Sequence, residues 1–303
     1  MNRTRDRLWI AAALLYASIG VACAENAAKT PAASTAPTAA ASGDDEYAAG
    51  VNDHHQHHHH GGVTLLVALS VDTLGAPPAQ QATLEQISAD LRAKMEPARV
   101  AEQTVHNLLA DGIAAGSIDR AKVDAALAEV TSAAAAVHDA TDDTLNQLHA
   151  ALTPPQRAAL VDKVEAHWDV WLRANTEPST QSPAPHGKRD PLVALASEVG
   201  LSQDQVEKIR TQLTAADKAA EPFDPQDVIA HLRSFGNAFR ADTFDAKTIT
   251  SSSAVDARLA KYGTGRMVRF YEAVASVLTP DQRAKVAAIL REHANYNARA
   301  QGA

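Results

Sequence analysis

The segment Leu152-Thr153-Pro154-Pro155-Gln156-Arg157 recurs as Leu278-Thr279-Pro280-Asp281-Gln282-Arg283. The offset is 126 residues, and the same offset carries Leu66-Val67-Ala68-Leu69 onto Leu192-Val193-Ala194-Leu195, Asp119 onto Asp245 and His167 onto His293. A period this long reads as two copies of one domain, not as a solenoid of short repeats. Each segment is also a helix start. Thr153 and Thr279 stand at the N-cap, and Pro154 and Pro280 take the first helical position, where a missing N–H costs nothing. Gln156 and Gln282 reach back from the third position to the backbone N–H of the cap. Ser202 and Gln205, flanked by Leu201 and Val206, make a third box of this kind.

Outward from these starts the periodicity is helical, and no alternating strand pattern occurs. The first copy predicts helices near 64–74, 79–95, 98–114, 120–151 and 154–174. The second predicts 190–198, 203–219, 225–239, 250–277 and 280–299. In the longest helix of the first copy, Leu127, Val130, Ala134, Val137, Thr141, Leu145, Leu148 and Leu152 recur at spacings of three and four, a seam like that of a coiled coil. The second copy repeats it through Leu259, Tyr262, Met267, Phe270, Val274 and Val277, with Gly263 and Gly265 placed to kink or loosen the middle. The expected class is all-α, built from long antiparallel hairpins. Composition agrees: aromatics are only 4% of the chain while 46% is apolar, which favours thin helical layers over a bulky aromatic core.

The chain opens with Arg3, Arg5 and Arg7 and an apolar run from Leu8 to Ala22, the pattern of an export signal and too short to span a bilayer comfortably. Two processing readings fit the same place. Ala22-Cys23-Ala24 suits ordinary cleavage, giving a signal of 1–24. Gly20-Val21-Ala22-Cys23 resembles a bacterial lipobox, in which the signal ends at 22 and Cys23 carries lipid. Residues 25–62 form an Ala/Pro/Thr-rich tether with too little apolar content to offset ordering entropy. The copies then occupy 63–174 and 191–303, joined by a proline-containing linker at 175–190. Cys23 is the only cysteine, so no disulfide forms within the chain.

At the end of the tether stands His54-His55-Gln56-His57-His58-His59-His60, six of the 13 histidines. Clustered neutral imidazoles chelate borderline ions, so His54, His55, His57, His58, His59 and His60 are candidate ligands for Zn, Ni or Cu, although no cofactor is required by the fold. His138 and His149 share a helix face but lie three turns apart, about 16 Å, too far to hold one ion between them. His167 and His293 occupy equivalent places in the last helix of each copy. Trp168 and Trp171 extend an apolar stripe and read as core.

Leu201-Ser202 with Gln205, the segment Arg240-Ala241-Asp242-Thr243-Phe244-Asp245, a long helix, and Leu278-Thr279 with Gln282 together resemble the Spy/CpxP family of periplasmic proteins, in which a Leu-Thr-x-x-Gln box opens the first and last helices. The first copy keeps the second box, Leu152, Thr153 and Gln156. Around Leu74 to Gln80 it reads Leu-Gly-Ala-Pro-Pro-Ala-Gln and lacks the Thr or Ser cap. The resemblance implies two tandem helical-hairpin domains of a kind that pairs into a thin curved cradle, here formed within one chain as a pseudo-dimer. It implies an exported envelope-stress protein, an ATP-independent holdase for unfolded envelope proteins that also binds transition metals through the histidine run; the alternative is a periplasmic heavy-metal buffer or sensor that modulates a signalling partner such as a membrane sensor kinase. The expected location is the periplasm, with anchoring to the outer membrane if Cys23 is lipidated, and homodimers of the chain are compatible with it.

Family chaperones present basic concave faces, whereas this chain has a net charge of -8. Arg233, Arg240, Arg258, Lys261, Arg266 and Arg269 are the residues from which a local basic client-binding patch would be built. The acidic balance argues against nucleic-acid binding. No phosphate loop, nucleophile elbow or fixed catalytic constellation occurs in the sequence, so an enzyme is not expected.

Overall fold

The computed structural model describes residues 62–176, 191–249 and 252–299, all within one compact unit, Ser42–Ala303. Residues 1–61, which hold the export signal, Cys23, nearly all of the tether and the histidine run, lie outside the described residues, as do 177–190 of the expected linker. The described residues contain nine α-helices, one 3-10 turn and no strand. In chain order these are α1 Gly62–Asp72, α2 Pro78–Ala115, α3 Arg120–Ala151, α4 Pro154–Thr176, α5 Pro191–Val199, α6 Gln203–Ala219, α7 Gln226–Arg240, the turn Ala246–Thr248, α8 Ser252–Ala275 and α9 Pro280–Arg299. Among them no helix is long and apolar enough to cross a membrane.

The helix starts follow from the capping residues. Ser202 and Gln205 form the full reciprocal box. Thr279 N–H donates to Gln282 Oε1 at 3.0 Å, and Gln282 N–H returns to Thr279 Oγ1 at 3.4 Å. At α4 the box is one-sided: Thr153 N–H and Oγ1 both donate to Gln156 Oε1, each at 3.0 Å. Asp119 caps α3 by accepting Lys122 N–H, and its equivalent Asp245 caps the 3-10 turn by accepting Lys247 N–H. Between α2 and α3 the chain reverses through Gly116 at φ 82°, a left-handed position that glycine occupies without strain.

Two expectations are corrected. Residues 79–95 and 98–114 are one helix, α2, which runs through Pro97. Proline removes one helical hydrogen bond and crowds the preceding turn. Leu91, Met95, Ala98, Val105 and Leu109, none more than 1% exposed, form a continuous buried stripe across that point, and their packing holds the helix together. The equivalent stretch of the second half, Glu221-Pro222-Phe223-Asp224-Pro225, carries two prolines, and there the chain leaves the helix between α6 and α7. Second, α8 passes through Gly263 and Gly265 without interruption. Its buried side is Leu259, Ala260, Gly263, Thr264, Val268, Ala273 and Val274, while Tyr262, Met267, Phe270 and Val277 of the expected seam are only half-buried. Small buried residues on α8, with Ala126 and Ala134 on α3, let these two long helices pack closely. The α3 seam is buried as expected, apart from half-buried Leu127.

The apolar side chains fall into two cores, and both draw on both halves. The first joins α1, the N-terminal part of α2, the C-terminal part of α3, and α4 to α7, the 3-10 turn and the start of α8. The second joins α5, α6, the rest of α8, and α9 to the C-terminal part of α2 and the start of α3. The stretches 63–174 and 191–303 therefore share their cores instead of each enclosing its own. Phe239 of α7, wholly buried in the first core, packs with Phe235 and Phe244 and against His149 of α3. The His149 ring also stacks on Phe244, and His149 Nε2 lies 2.9 Å from the Ala241 carbonyl. Trp168 and Trp171 are stacked in the first core beside Phe223 and Tyr262 of the second half.

Candidate metal centre

Helix α3 carries a cluster of metal-ligand type. His138, Asp139 and Asp142 offer ligand atoms that all lie within 4.8 Å of one another. The spacing explains it, since positions one turn apart share a face. His138 Nε2 stands 3.4 Å from Asp142 Oδ1. Ligands bound to one zinc at about 2.0–2.1 Å with tetrahedral angles sit roughly 3.4 Å apart, so this pair has the separation that a shared ion requires. Asp142 is buried, with Oδ1 lacking a hydrogen-bond partner, and Asp139 is exposed. Burial raises the Asp142 carboxyl above the usual carboxylate range, while the neighbouring His138 and Lys247 act in the opposite direction. An imidazole with two carboxylates is a donor set for borderline divalent ions, and three protein ligands leave a fourth position open.

The cluster borders the place where α1 begins. His138, Thr64, Val63, His231 and Asp256 line a void of about 10 Å³, the room of one water-sized sphere, closed by Val67, Leu145, Phe235 and Ile249. Asp256, 1% exposed, accepts the Val63 N–H at 2.7 Å and so holds the first turn of α1. Burial pushes its carboxyl up to about 8 against the lowering effect of that hydrogen bond. Thr64 Oγ1 lies 3.5 Å from Thr141 Oγ1, which itself donates to the Val137 and His138 carbonyls. Helix α1 is buried along nearly its whole length, and the histidine run ends two residues before it.

The repeated glutamines meet in pairs. Gln156 Nε2 donates to Gln80 Oε1 at 2.7 Å, Gln80 Nε2 returns to Gln156 Oε1 at 3.2 Å, and Gln80 also bonds the Ala151 carbonyl. In the second half Gln205 Nε2 donates to Gln282 Oε1 at 2.7 Å and to the Val277 carbonyl at 2.8 Å, while Gln282 Nε2 reaches Gln205 Oε1 and the Gly200 carbonyl. Leu152, Leu278 and half-buried Leu201 pack into the adjoining cores. At the start of α2 Pro77 makes no side-chain cap bond, yet Gln80 pairs with Gln156 as Gln205 pairs with Gln282. The sequence signal was Gln80 itself, hidden by the prolines before it.

The six basic residues of the second half are not assembled into one free patch. Arg240 pairs with Asp162 and Glu165 of α4, Arg258 with Asp227, Lys261 with Glu221, and Arg269 with Asp217. Arg233 is exposed on α7, and burial lowers the pKa of half-buried Arg266. Arg258, Lys261 and Arg269 do share an open groove of about 1,220 Å³ between α3, the α6–α7 connection and α8, where Phe223, Tyr262 and Ala128 supply apolar surface. His167 and His293 lie apart. His167 is buried in the first core with Nδ1 2.9 Å from Ser70 Oγ, and His293 faces His106.

The all-helical scaffold thus carries a His and carboxylate cluster whose donor set allows metal binding. Residues 47–159 match the model of a family described as heavy-metal resistance, and that stretch contains α1, α2, α3 and the whole His138, Asp139 and Asp142 cluster. No curated protein and no solved structure matches the chain.

Proposed function

We propose that this protein is an exported, non-enzymatic accessory of heavy-metal resistance that binds a borderline transition metal at His138, Asp139 and Asp142 and collects it through the histidine run. The observation that carries this reading is the buried, unbonded Asp142 Oδ1 at ligand distance from His138, inside the stretch that matches the metal-resistance family. In the sequence the run ends at His60, two positions before α1 opens, and Val63 and Thr64 of that helix line the same void as His138. Export to the periplasm, with or without a lipid on Cys23, is part of the proposal, as is descent of the two halves from a duplicated Spy/CpxP-like unit forming one pseudo-dimeric body. A membrane sensor kinase is the partner class that suits a metal-responsive accessory.

The test uses the full mature chain with all six histidines of the run replaced by Asn, titrated with Zn²⁺, Ni²⁺ and Cu²⁺. H138Q and D142N are each expected to weaken binding by at least about tenfold. Affinities equal to the parent would overturn the assignment.

The open groove favours a second reading, an ATP-independent holdase that shelters unfolded envelope proteins. Deleting residues 54–60 separates the two: suppression of client aggregation survives the deletion if the holdase is the main activity, and metal protection is lost if metal handling is.

A further inference from the structure

The turn Ala246–Thr248 is fastened to the helix that carries the His138, Asp139 and Asp142 cluster. The Ala246 N–H donates to Asn146 Oδ1 of α3 at 2.9 Å, and Ala246 itself is wholly buried. Asp245 braces the turn. Its Oδ1 accepts the Lys247 N–H at 3.1 Å, and its carbonyl accepts the Thr248 N–H at 3.0 Å and Thr248 Oγ1 at 2.7 Å. Ile249, the next residue, closes the void that His138 lines. On α3 one helical turn separates Asp139 from Asp142 and Asp143, and one more separates these from Asn146, so the four share a face.

Lys247 brings a cation to that face. Its Nζ lies 3.5 Å from Asp143 Oδ1, with side chains 63% and 76% exposed. The same charge acts on the cluster. Burial raises the Asp142 carboxyl most strongly; His138 and Lys247 act to lower it, and Asp139 and Asp143 to raise it. An ammonium has three donors and no lone pair, so Lys247 cannot join the ligands while it keeps its charge. Towards an arriving divalent ion it acts in one direction only, by repulsion.

We propose that Lys247 sets the affinity of the α3 cluster: its ammonium balances the carboxylates while no ion is bound, opposes the entry of a divalent ion, and turns away into water when one binds. The inference rests on His138, Asp139 and Asp142 being the ligands and adds what limits their hold on the metal. The long, exposed side chain makes the turning inexpensive, since its backbone is fixed by Asp245 and its four-carbon stem is flexible. A cluster weakened in this way releases its ion at a higher concentration of free metal.

The experiment uses the full chain with the six histidines of the run replaced by Asn, titrated with Zn²⁺ against a competing chelator. A divalent ion within about 7 Å of an ammonium in water is disfavoured roughly three- to tenfold at low salt. K247Q is therefore expected to bind Zn²⁺ about three- to tenfold more tightly than the parent, K247E more tightly still, and K247R like the parent. The gain is expected to shrink between about 0.02 M and about 0.5 M NaCl, where screening shortens the reach of the charge. A turn loosened by the substitution would weaken binding instead, so the sign of the change separates charge from structure. With D142N present the K247Q gain is expected to disappear. D142N that binds like its parent overturns the ligand assignment and this inference with it. D142N that binds weakly while K247Q binds like K247R, or more weakly, overturns the inference alone.

Discussion

Asp256 carries the clearest consequence at the scale of single residues. Its carboxyl, buried and answered by one backbone N–H, holds its proton up to about pH 8, whereas an unfolded chain releases it near about pH 4. Between those values the native state binds a proton that the unfolded state has lost, so stability falls as pH rises across the window. D256N keeps an acceptor for Val63 N–H and removes the titration. Denaturant melts in chelator from pH 4 to pH 8 are expected to show a shallower decline for D256N than for the wild type; equal slopes would contradict the assignment. The Asp142 carboxyl, also raised by burial, contributes in the same direction and leaves part of the slope in place. Gly62 is the second sensitive position. It adopts φ +56°, and a methyl group there would collide with the Asp256 carboxylate. G62A is expected to cost at least about 2 kcal/mol from backbone strain and overpacking, visible as a Tm lowered by several degrees.

Among the helices, the amide pairs explain why the boxes recur. A capping glutamine satisfies one orphan N–H at a helix start, and its partner ties that start to the next helix. Gln80 bonds Gln156 and the Ala151 carbonyl, whereas its neighbour Gln81 reaches only Glu85 on the exposed side of the same helix. Q80A is therefore expected to lose about 1–2 kcal/mol in urea unfolding, while Q81A stays within about 0.5 kcal/mol of the parent. Capping chemistry is local, which is why the limits of α3, α6 and α9 could be read directly from Asp119, Ser202 and Thr279. The continuity of α2 through Pro97 was not legible in this way, because it depends on Leu91, Met95 and Val105 being covered by other helices. His138 drew attention in the sequence through His149, three turns away, when its partner is Asp142, one turn away; a His-x-x-x-Asp spacing was visible but common. The His106 and His293 pair exists only after α9 of one half is laid on α2 of the other, and no local pattern records that.

At the scale of the whole molecule, the stretches on either side of 177–190 are joined by their cores. Phe239 is contributed by the second half to the first of the two shared cores, so F239A is expected to cost about 3–5 kcal/mol and to lower the unfolding of the whole chain in one transition. Cleaving an engineered protease site within 177–190 is expected to leave the two fragments co-eluting in native buffer, because each core needs elements from both; separate elution without denaturant would show that the halves stand alone. Shared cores also give the proposed metal site its setting, since His138 of the α3 cluster lines the void beside the point where α1 is pinned to α8 by Val63 and Asp256. The most direct measurement is the number of Zn²⁺ ions held at equilibrium dialysis by the full chain with its histidine run replaced by Asn. The parent is expected to hold one ion more per chain than D142N; a D142N chain that holds as many ions, as tightly, as its parent would contradict metal binding at His138, Asp139 and Asp142.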